Sequence, residues 1–377
     1  MNQMSRHNLF LDNSVMKRIL IVRLDEIGDM VLMTPFLREV RRNFPDSHIT
    51  LLVNPVTYNI VETCPYVNDV SEIDLLPTGL FSKIRRFLRI INSVKRFSLK
   101  QRYDLALLPR WDVDYYQATF LAFFSRAKYR LGYSESVTED KRKKNRGYDK
   151  LLTHVICDAT ITHEAEKNLQ LVSLMGGTIK ENHLELWTSC DDESYAEEII
   201  GKECGLSKDF IIALAPEAGS PKRIWPVENY IQLATWITQT YRMKIIILGN
   251  DANADLGSII AMRVGEAIVN LVGKTTIRQA FALLKSCKLF IGSDSGPKHL
   301  AAAAAIPVIE ISCHPQDGSP SHYNSPHRFG AWKVPYFPIQ PKHAAYPCRD
   351  SCTADFPHCI QQVSVEEVEA AIEMLIP

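Results

Sequence analysis

The sequence has no uninterrupted apolar run of about 18 residues, the length that a helix needs to cross a bilayer. Residues 1–16 also lack the basic start and long apolar centre of a secretory signal peptide, so we expect a loose N-terminal extension there. The 9 cysteines are scattered through a chain without an export signal. This pattern favours reduced thiols in a cytoplasmic protein.

The chain also has no formal net charge at pH 7, but its charges are unevenly distributed. Basic residues outnumber acidic residues over positions 1–150, and the reverse holds over the remainder. Such asymmetry predicts that the N-terminal half meets an anionic molecule. Independent drift in the charge of two related domains would give the same imbalance, so this alternative stays open.

A chain of 377 residues is too long for one typical core and suits two domains. An apolar strand at 17–24, then a loop, a helical stretch and a strand at 48–53, open a doubly wound α/β domain. The alternation restarts with a strand and loop at 210–219. We therefore predict two Rossmann-like α/β domains facing a central cleft, because ligands bind at the carboxyl ends of such sheets.

The same patterns predict the domain boundaries. The acidic, polar composition of 178–208 is typical of a connection between domains. The predicted order is an N-terminal extension at 1–16, a first Rossmann-like domain at 17–177, a linker at 178–208, a second Rossmann-like domain at 209–360 and a C-terminal helix at 361–377.

The turn after the first strand lacks the G-x-G-x-x-G fingerprint of dinucleotide-binding proteins, because Gly28 is its only glycine. Gly28 permits a tight backbone, and Asp29 follows it at the start of a helix. A carboxylate at the carboxyl end of the first strand suits a general base. Asp29 could instead cap the helix, and the nearby Asp25 or Glu26 could be the base.

Two cations follow the first strand of the second domain. Lys222 and Arg223 precede Trp-Pro and an amphipathic helix. At the carboxyl edge of the predicted sheet, they would neutralise a departing diphosphate. Taken alone, the stretch could equally be a solvated basic loop.

The stretch IGSDSGPKHLAAAAA, residues 291–305, runs from an apolar strand through a polar turn into an alanine-rich helix. Pro297 suits the first helical turn, where no N–H partner is needed. Helix N-termini attract anions through unpaired N–H groups and the helix dipole. The stretch therefore predicts a phosphate site, although a well-capped helix is the alternative. The candidate residues are Asp294, Ser295, Gly296, Lys298 and His299.

In this order and spacing, the segments IGDMVLMTP, KRIWP and SDSGPKHLAAA resemble glycosyltransferase family 9, the heptosyltransferases of lipopolysaccharide core assembly. A cysteine-bearing stretch at 348–360 is similar to one near the C-terminus of that family. The resemblance covers roughly residues 17–375. It implies the GT-B architecture and a metal-independent, inverting transfer of heptose from ADP-heptose to a hydroxyl of the lipopolysaccharide core.

The resemblance also implies that 17–177 is the acceptor-binding domain and 209–360 the nucleotide-sugar-binding domain, and it implies roles for individual residues. Asp29 would be the base, and the family's lysine before Trp-Pro could be matched by Lys222 or Arg223. In the family, a carboxylate holds the nucleotide ribose. Its counterpart in this chain would be Asp251, Asn253 or Asp255. The donor's diphosphate would be held by Lys222, Arg223, Ser295, Gly296, Lys298 and His299, with Gly28 and Asp294 also on the donor side.

Two basic stretches in the first domain suit a phosphorylated lipid acceptor or an anionic membrane surface. One is an amphipathic helix at 82–97, and the other is a flexible loop at 141–146. A core helix and a solvated loop are the alternatives. The acceptor side would include Asp112, Lys141, Arg142, Lys143 and Lys144. We expect a cytoplasmic protein, peripheral on the inner face of the cytoplasmic membrane.

No metal, cofactor or nucleic-acid partner is expected, since the nucleotide-sugar is a substrate. The D-x-D motif that starts at Asp112 lies outside the predicted nucleotide-binding domain. Cys348, Cys352 and Cys359 superficially resemble a metal site, with His343 or His358 as a fourth ligand. The resembled family has no known catalytic metal there.

Three other functions remain compatible with the sequence. A transferase could use another nucleotide-sugar for O-antigen or capsule, and a donor panel would separate it. A sugar-nucleotide epimerase of similar two-domain shape would act on the donor with no acceptor present. A non-catalytic protein would bind the nucleotide-sugar without turnover, although Asp29 argues against this.

Overall fold

The computed structural model describes residues 16–74, 102–204, 210–250 and 254–376. The chain divides into two compact units, Met1–Asn182 and His183–Pro377, a division that falls inside the predicted linker. Each unit holds a six-stranded sheet whose strand pairs are parallel, with helices between the strands. In the described part of the chain, no helix is both long enough and apolar enough to span a membrane.

The first unit has the strand order β3-β2-β1-β4-β5-β6, which is the Rossmann order. Its strands are β1 (Arg18–Arg23), β2 (His48–Val53), β3 (Asp69–Glu72), β4 (Leu105–Leu108), β5 (Tyr129–Tyr133) and β6 (His154–Ile156). Its helices are α1 (Ile27–Val31), α2 (Thr34–Asn43), α3 (Pro55–Val61), α4 (Ala118–Phe124), α5 (Glu139–Lys144) and α6 (Glu164–Leu174).

The second unit repeats this order as β12-β11-β10-β7-β8-β9. Its strands are β7 (Ile211–Ala215), β8 (Lys244–Ile247), β9 (Ile268–Asn270), β10 (Leu289–Ser293), β11 (Val308–Ile311) and β12 (Tyr336–Ile339). Its helices are α7 (Cys190–Ile199), α8 (Val227–Tyr241), α9 (Ala254–Val264), α10 (Ile277–Leu284), α11 (Gly296–Ala303), α12 (Pro326–Phe329) and α13 (Val365–Leu375).

The central strands are buried on both faces, which explains their continuous apolar sequences. Isoleucines and leucines of β1 are fully buried, and Ile19 lies between Ile49 of β2 and Leu105 of β4. In the second unit, Gly292 of β10 is required by packing, because a Cβ there would lie 2.6 Å from the carbonyl oxygen of Ala215. Both sheets are therefore closely packed at their centres.

The strand order of each sheet reverses beside its first strand. In the first unit, this switch point lies between β1 and β4, and in the second it lies between β7 and β10. Open α/β sheets bind ligands outside the carboxyl ends of the strands at such points. Most of the predicted site residues follow β1, β4, β7 and β10, whereas the basic residues at 141–144 follow β5 and the predicted ribose contacts at 251–255 follow β8.

The predicted linker contains more structure than its composition indicated. Within 178–208, α7 begins with a capping box formed by Ser189 and Asp192. Asp192 also pairs with Arg278 of α10 at 2.8 Å, which attaches α7 to the second unit. Residues 1–15 and 205–208 and the basic stretch 82–97 lie outside the described residues.

Candidate functional site

Two carboxylates and two guanidiniums form a cluster where β1 and β4 end. Arg23 Nη2 donates a hydrogen bond of 2.8 Å to Asp29 Oδ1, and Arg110 Nη1 donates one of 2.9 Å to the same oxygen. Arg23 Nε also lies 2.8 Å from Asp25 Oδ2, and Arg110 Nη1 lies 3.4 Å from Asp25 Oδ1. Each arginine therefore pairs with both carboxylates. We call these four residues the β1 cluster.

Burial sets the protonation of the β1 cluster. It raises the pKa of Asp25 to about 6, against the opposing effect of Arg110 and Arg23. Burial alone would lower the pKa of Arg110, but Asp25 and Asp29 raise it above its usual value, so this guanidinium stays charged. The side chain of Asp29 retains 15% of its exposure. Asp29 is thus a carboxylate held by two cations and still open to solvent on one side.

The surrounding elements fix both arginines. Arg23 is the last residue of β1, and its Nη1 also contacts Asn168 Oδ1 of α6 at 3.3 Å. Lys141 of α5 donates to the carbonyl oxygens of Arg110 at 3.2 Å and Trp111 at 2.9 Å. These contacts hold the loop after β4 against the end of β1.

The other two acidic candidates near Asp29 have separate roles in the structure. Glu26 accepts a hydrogen bond of 2.7 Å from the hydroxyl of Tyr116. Asp112 accepts one of 2.7 Å from the backbone N–H of Val113. Asp114, the second acid of the D-x-D motif, caps α4 by accepting from two backbone N–H groups. Asp112 and Asp114 thus each serve the local backbone.

The predicted flexible loop at 141–146 is wrong in part, because Glu139–Lys144 form a helix that Thr138 caps. Lys141, which the sequence placed on the acceptor side, is buried against the backbone of the β4 loop. Its ammonium is buried and donates hydrogen bonds to two backbone carbonyl oxygens. Arg142, Lys143 and Lys144 are exposed and form a cationic surface.

In the second unit, the predicted phosphate turn lies where β10 ends. Ser295 is the N-cap of α11 and its side chain makes no capping hydrogen bond. Its hydroxyl donates instead to the carbonyl of Ser293 at 3.3 Å. The N-terminus of α11, which begins at Gly296, is therefore not covered by its own cap.

Lys298, which the sequence placed at the diphosphate, is buried and paired within the protein. Its ammonium lies 2.6 Å from Asp294 Oδ1 and 2.6 Å from Glu310 Oε2, and its side chain is 1% exposed. Tyr336 donates a further 2.6 Å hydrogen bond to Glu310. Although burial opposes it, the two carboxylates raise the pKa of Lys298. Lys298 therefore holds the turn together from inside rather than meeting a ligand.

Arg223 and Lys222 differ in what they can reach. Arg223 Nη1 donates to the carbonyl of Asp294 at 2.9 Å and retains 23% of its side-chain exposure. Lys222 is buried, and its Nζ donates to the carbonyl of Cys352 at 2.7 Å and to the hydroxyl of Tyr323 at 3.2 Å. Of the two cations that the sequence left open, Arg223 is the one that faces both the phosphate turn and solvent.

The remaining donor-side candidates lie in or near helices. His299 is buried in α11, and Gly28 lies within α1. Asp255 is exposed in the first turn of α9. The other two predicted ribose contacts, Asp251 and Asn253, lie outside the described residues.

Sequence reasoning missed several charged residues at these strand ends. Arg23 and Arg110 complete the β1 cluster. Arg23 is the last residue of β1, and Arg110 follows shortly after the end of β4. A cation at the end of an apolar strand is the sequence signal that could have identified both. Glu217 follows β7, is buried, and accepts a hydrogen bond of 3.0 Å from the backbone N–H of Asn250. Gly249 leaves room for it, since a Cβ there would lie 2.6 Å from the Glu217 carboxyl.

Comparison with known proteins identifies the family of this arrangement. The sequence model of glycosyltransferase family 9 (heptosyltransferase) matches residues 93–316. Lipopolysaccharide heptosyltransferase 3 of Escherichia coli is 26% identical over 293 residues, which cover 75% of this chain and 79% of the relative. Lipopolysaccharide core heptosyltransferase OpsX of Haemophilus influenzae is 23% identical over 311 residues, 82% of each chain.

Solved structures show the same fold. A glycosyl transferase family 9 protein from Veillonella parvula has a TM-score of 0.78 at 19% identity, covering 97% of this chain and 98% of its own. ADP-heptose lps heptosyltransferase II of E. coli has a TM-score of 0.68 at 18% identity, covering 95% and 98%. These likenesses confirm the predicted GT-B architecture.

Proposed function

Because this chain belongs to glycosyltransferase family 9, we propose that it transfers heptose from ADP-heptose to a hydroxyl of a lipopolysaccharide core acceptor. The match over residues 93–316 carries the reaction class. The sugar and acceptor are inferred from relatives that are named as lipopolysaccharide heptosyltransferases. The chain is thus a glycosyltransferase.

In the proposed reaction, Asp29 is the general base. The acceptor oxygen attacks the anomeric carbon as its proton passes to the Asp29 carboxylate, and the bond to the ADP oxygen breaks with inversion. Arg23 and Arg110 donate hydrogen bonds to Asp29 Oδ1 and orient its carboxylate for the transfer. Asp25 is the less accessible carboxylate, and we assign it to balancing the two guanidiniums.

The departing diphosphate would be stabilised without a metal ion. Arg223, the N-terminus of α11 with Ser295 and Gly296, and His299 provide positive charge and N–H groups in the second unit. Fixed dipoles and cations of this kind stabilise charge as it develops, because they need no reorganisation during the step. Lys298 and Lys222 have positioning roles in this scheme.

The exposed cations of α5 would recognise the anionic acceptor. Arg142, Lys143 and Lys144 project from the first unit, which also carries the β1 cluster. Together with the basic stretch 82–97, they favour action at the anionic inner face of the cytoplasmic membrane.

A donor and acceptor panel tests the proposal. The purified protein is incubated with several nucleotide-sugars and core lipids, and products are followed by mass spectrometry. Heptose transfer from ADP-heptose to a core lipid is the expected result. Transfer of another sugar, or conversion of the donor without acceptor, would replace the proposed function by one of the other nucleotide-sugar reactions.

Calorimetric titration with ADP tests the donor site separately. A charge-assisted hydrogen bond contributes roughly 1.5–3 kcal/mol, so losing one should weaken ADP binding about 10- to 150-fold. We expect this for His299→Ala and for Arg223→Met. The matched control is His343→Ala, whose side chain is 79% exposed. Wild-type affinity in both site variants would mean that the nucleotide binds elsewhere.

A further inference from the structure

Three thiols and an imidazole converge in the second unit. The ligand atoms of Cys348, Cys352, His358 and Cys359 all lie within 4.8 Å of one another. His358 Nδ1 is 3.6 Å from Cys348 Sγ and 3.5 Å from Cys359 Sγ. The three cysteines are buried free thiols, and they contribute to the main core of the unit.

These separations match a tetrahedral metal site. With zinc–sulfur bonds of about 2.3 Å and a zinc–nitrogen bond of about 2.0–2.1 Å, the sulfur and nitrogen of two ligands lie about 3.6 Å apart. Both observed distances agree with this value. The backbone N–H of Thr353 donates to Cys348 Sγ at 3.3 Å, the kind of outer contact that orients a metal-binding thiolate.

The backbone around the cluster also needs an organising element. Between the end of β12 at Ile339 and Cys359, the chain forms neither helix nor strand. Loops longer than about 12–15 residues without secondary structure are uncommon in compact domains. This one nevertheless carries two buried cysteines, Cys348 and Cys352. A metal ion that joins four side chains would supply the missing stabilisation.

We propose that Cys348, Cys352, His358 and Cys359 bind one structural Zn²⁺ ion. Three thiolates and one imidazole form a closed tetrahedral set that suits zinc, with no position left for substrate. The sequence left His343 and His358 open as the fourth ligand and favoured no metal. The structure distinguishes the two, since His343 is exposed and lies 2.7 Å from Asp317 Oδ2.

The ion would order the donor side of the second unit without touching substrate. The carbonyl oxygen of Cys352 accepts the 2.7 Å hydrogen bond from Lys222. Trp225, three residues further, donates a 2.9 Å hydrogen bond to the carbonyl of Val363. The segment that carries Arg223 is therefore anchored on both sides to the cysteine-bearing loop and its continuation.

Metal analysis of the full-length protein tests this proposal. The protein is purified without a metal-chelating tag, and its metal content is measured by mass spectrometry. We expect about one zinc per chain, lost in Cys348→Ser and Cys359→Ser. Cys287→Ser is the control and should keep its zinc, because Cys287 is buried elsewhere and its thiol donates to the Leu283 carbonyl. Metal-free wild-type protein would overturn the proposal, and stoichiometric iron would overturn the choice of zinc.

A second pair of variants keeps the test valid if the serine variants fold poorly. His358→Cys should retain one zinc in a four-cysteine site, whereas His358→Ala should bind it more weakly. Cobalt-substituted wild-type protein should show thiolate-to-cobalt charge transfer and the visible bands of tetrahedral Co²⁺. Equal zinc content in both His358 variants, or octahedral cobalt, would contradict the ligand set. None of these readouts depends on sugar transfer, so the proposed function can fail independently.

Discussion

At the scale of single residues, the β1 cluster combines an accessible carboxylate with a buried one. Both share the same two guanidiniums; the side chain of Asp25 is 10% exposed and that of Asp29 15%, and burial raises the pKa of Asp25. Asp29 therefore has the accessibility that proton transfer requires, while Asp25 responds to pH near neutrality. The roles of the two carboxylates can therefore be tested separately.

Asp29→Asn should reduce kcat by about 10²–10⁴, because acid–base assistance is lost while side-chain size is kept. ADP affinity should stay close to that of the wild type, since we place the donor contacts in the second unit. The measurement is steady-state transfer together with ADP calorimetry. Asp46→Asn, at an exposed surface carboxylate, is the control and should be fully active. Near-wild-type turnover in Asp29→Asn would remove it as the base.

The pH profile should report Asp25. Because burial raises its pKa to about 6, Asp25 is ionised above that pH and becomes protonated below it. When Asp25 is protonated, its negative charge no longer offsets the positive charge of Arg23 and Arg110. Asp29 then accepts a proton less readily and is a weaker base. We expect kcat/KM to fall as the pH is lowered through about 6 and to level off at a lower value once Asp25 is protonated. An unchanged acid limb in Asp25→Asn would show that another group titrates there.

We predict that Lys298 contributes to the stability of the folded protein. Lys298→Met leaves Glu310 buried without its cation and Asp294 with only the 3.6 Å contact to Arg223, and breaking a buried pair in this way typically costs about 3–5 kcal/mol. Chemical denaturation followed by circular dichroism measures this. Lys285→Met is the control, since its half-exposed pair with Glu193 should be worth at most about 1 kcal/mol. Equal losses in the two variants would contradict the structural role of Lys298.

At the scale of elements, α5 has two different faces. Lys141 points inward and fastens the β4 loop, whereas the next three cations point outward. A short helix thus stabilises the β1 cluster from one side and displays positive charge on the other. The two functions can be separated by mutation.

Replacing Arg142, Lys143 and Lys144 with serine should raise the KM for the acceptor and leave the donor KM nearly unchanged. The effect should shrink at high salt, because exposed charges are screened over about 10 Å at 0.1 M ionic strength. Acceptor kinetics at two salt concentrations provide the measurement. Unchanged acceptor kinetics would make this surface an ordinary solvated face. Lys141→Met provides the contrast and should lower thermal stability.

At the scale of the whole molecule, the same Rossmann strand order occurs twice. Each unit places charged residues at the switch point of its own sheet, where strand ends diverge and backbone groups become available. The first unit provides a carboxylate, and the second provides an uncapped helix N-terminus beside an arginine.

Transfer should proceed without added Mg²⁺ or Mn²⁺, because protein cations and N–H groups meet the diphosphate charge in our scheme. The check is activity after brief EDTA treatment, followed by addition of single metal ions. Activity that Mg²⁺ or Mn²⁺ restores would contradict metal-independent transfer. A loss that only Zn²⁺ reverses would instead reflect the cysteine site.

The sequence by itself determined the two α/β units and the strand ends that bear the site. Period, apolar runs and turn residues are local signals, so β1, β7, β10 and the helix at 296–303 were predictable. The residue types at those turns also indicated an anion site and a base. These features can be predicted from the sequence because strand alternation and helix starts depend on neighbours along the chain.

Only the tertiary structure decided which charges are free to act. Lys141, Lys222 and Lys298 read as available cations, yet each is paired in the interior. Arg23 and Arg110 are 87 positions apart in numbering and meet only because β1 and β4 are adjacent in the sheet. Pairing and desolvation depend on residues distant along the chain, so no local pattern can assign them.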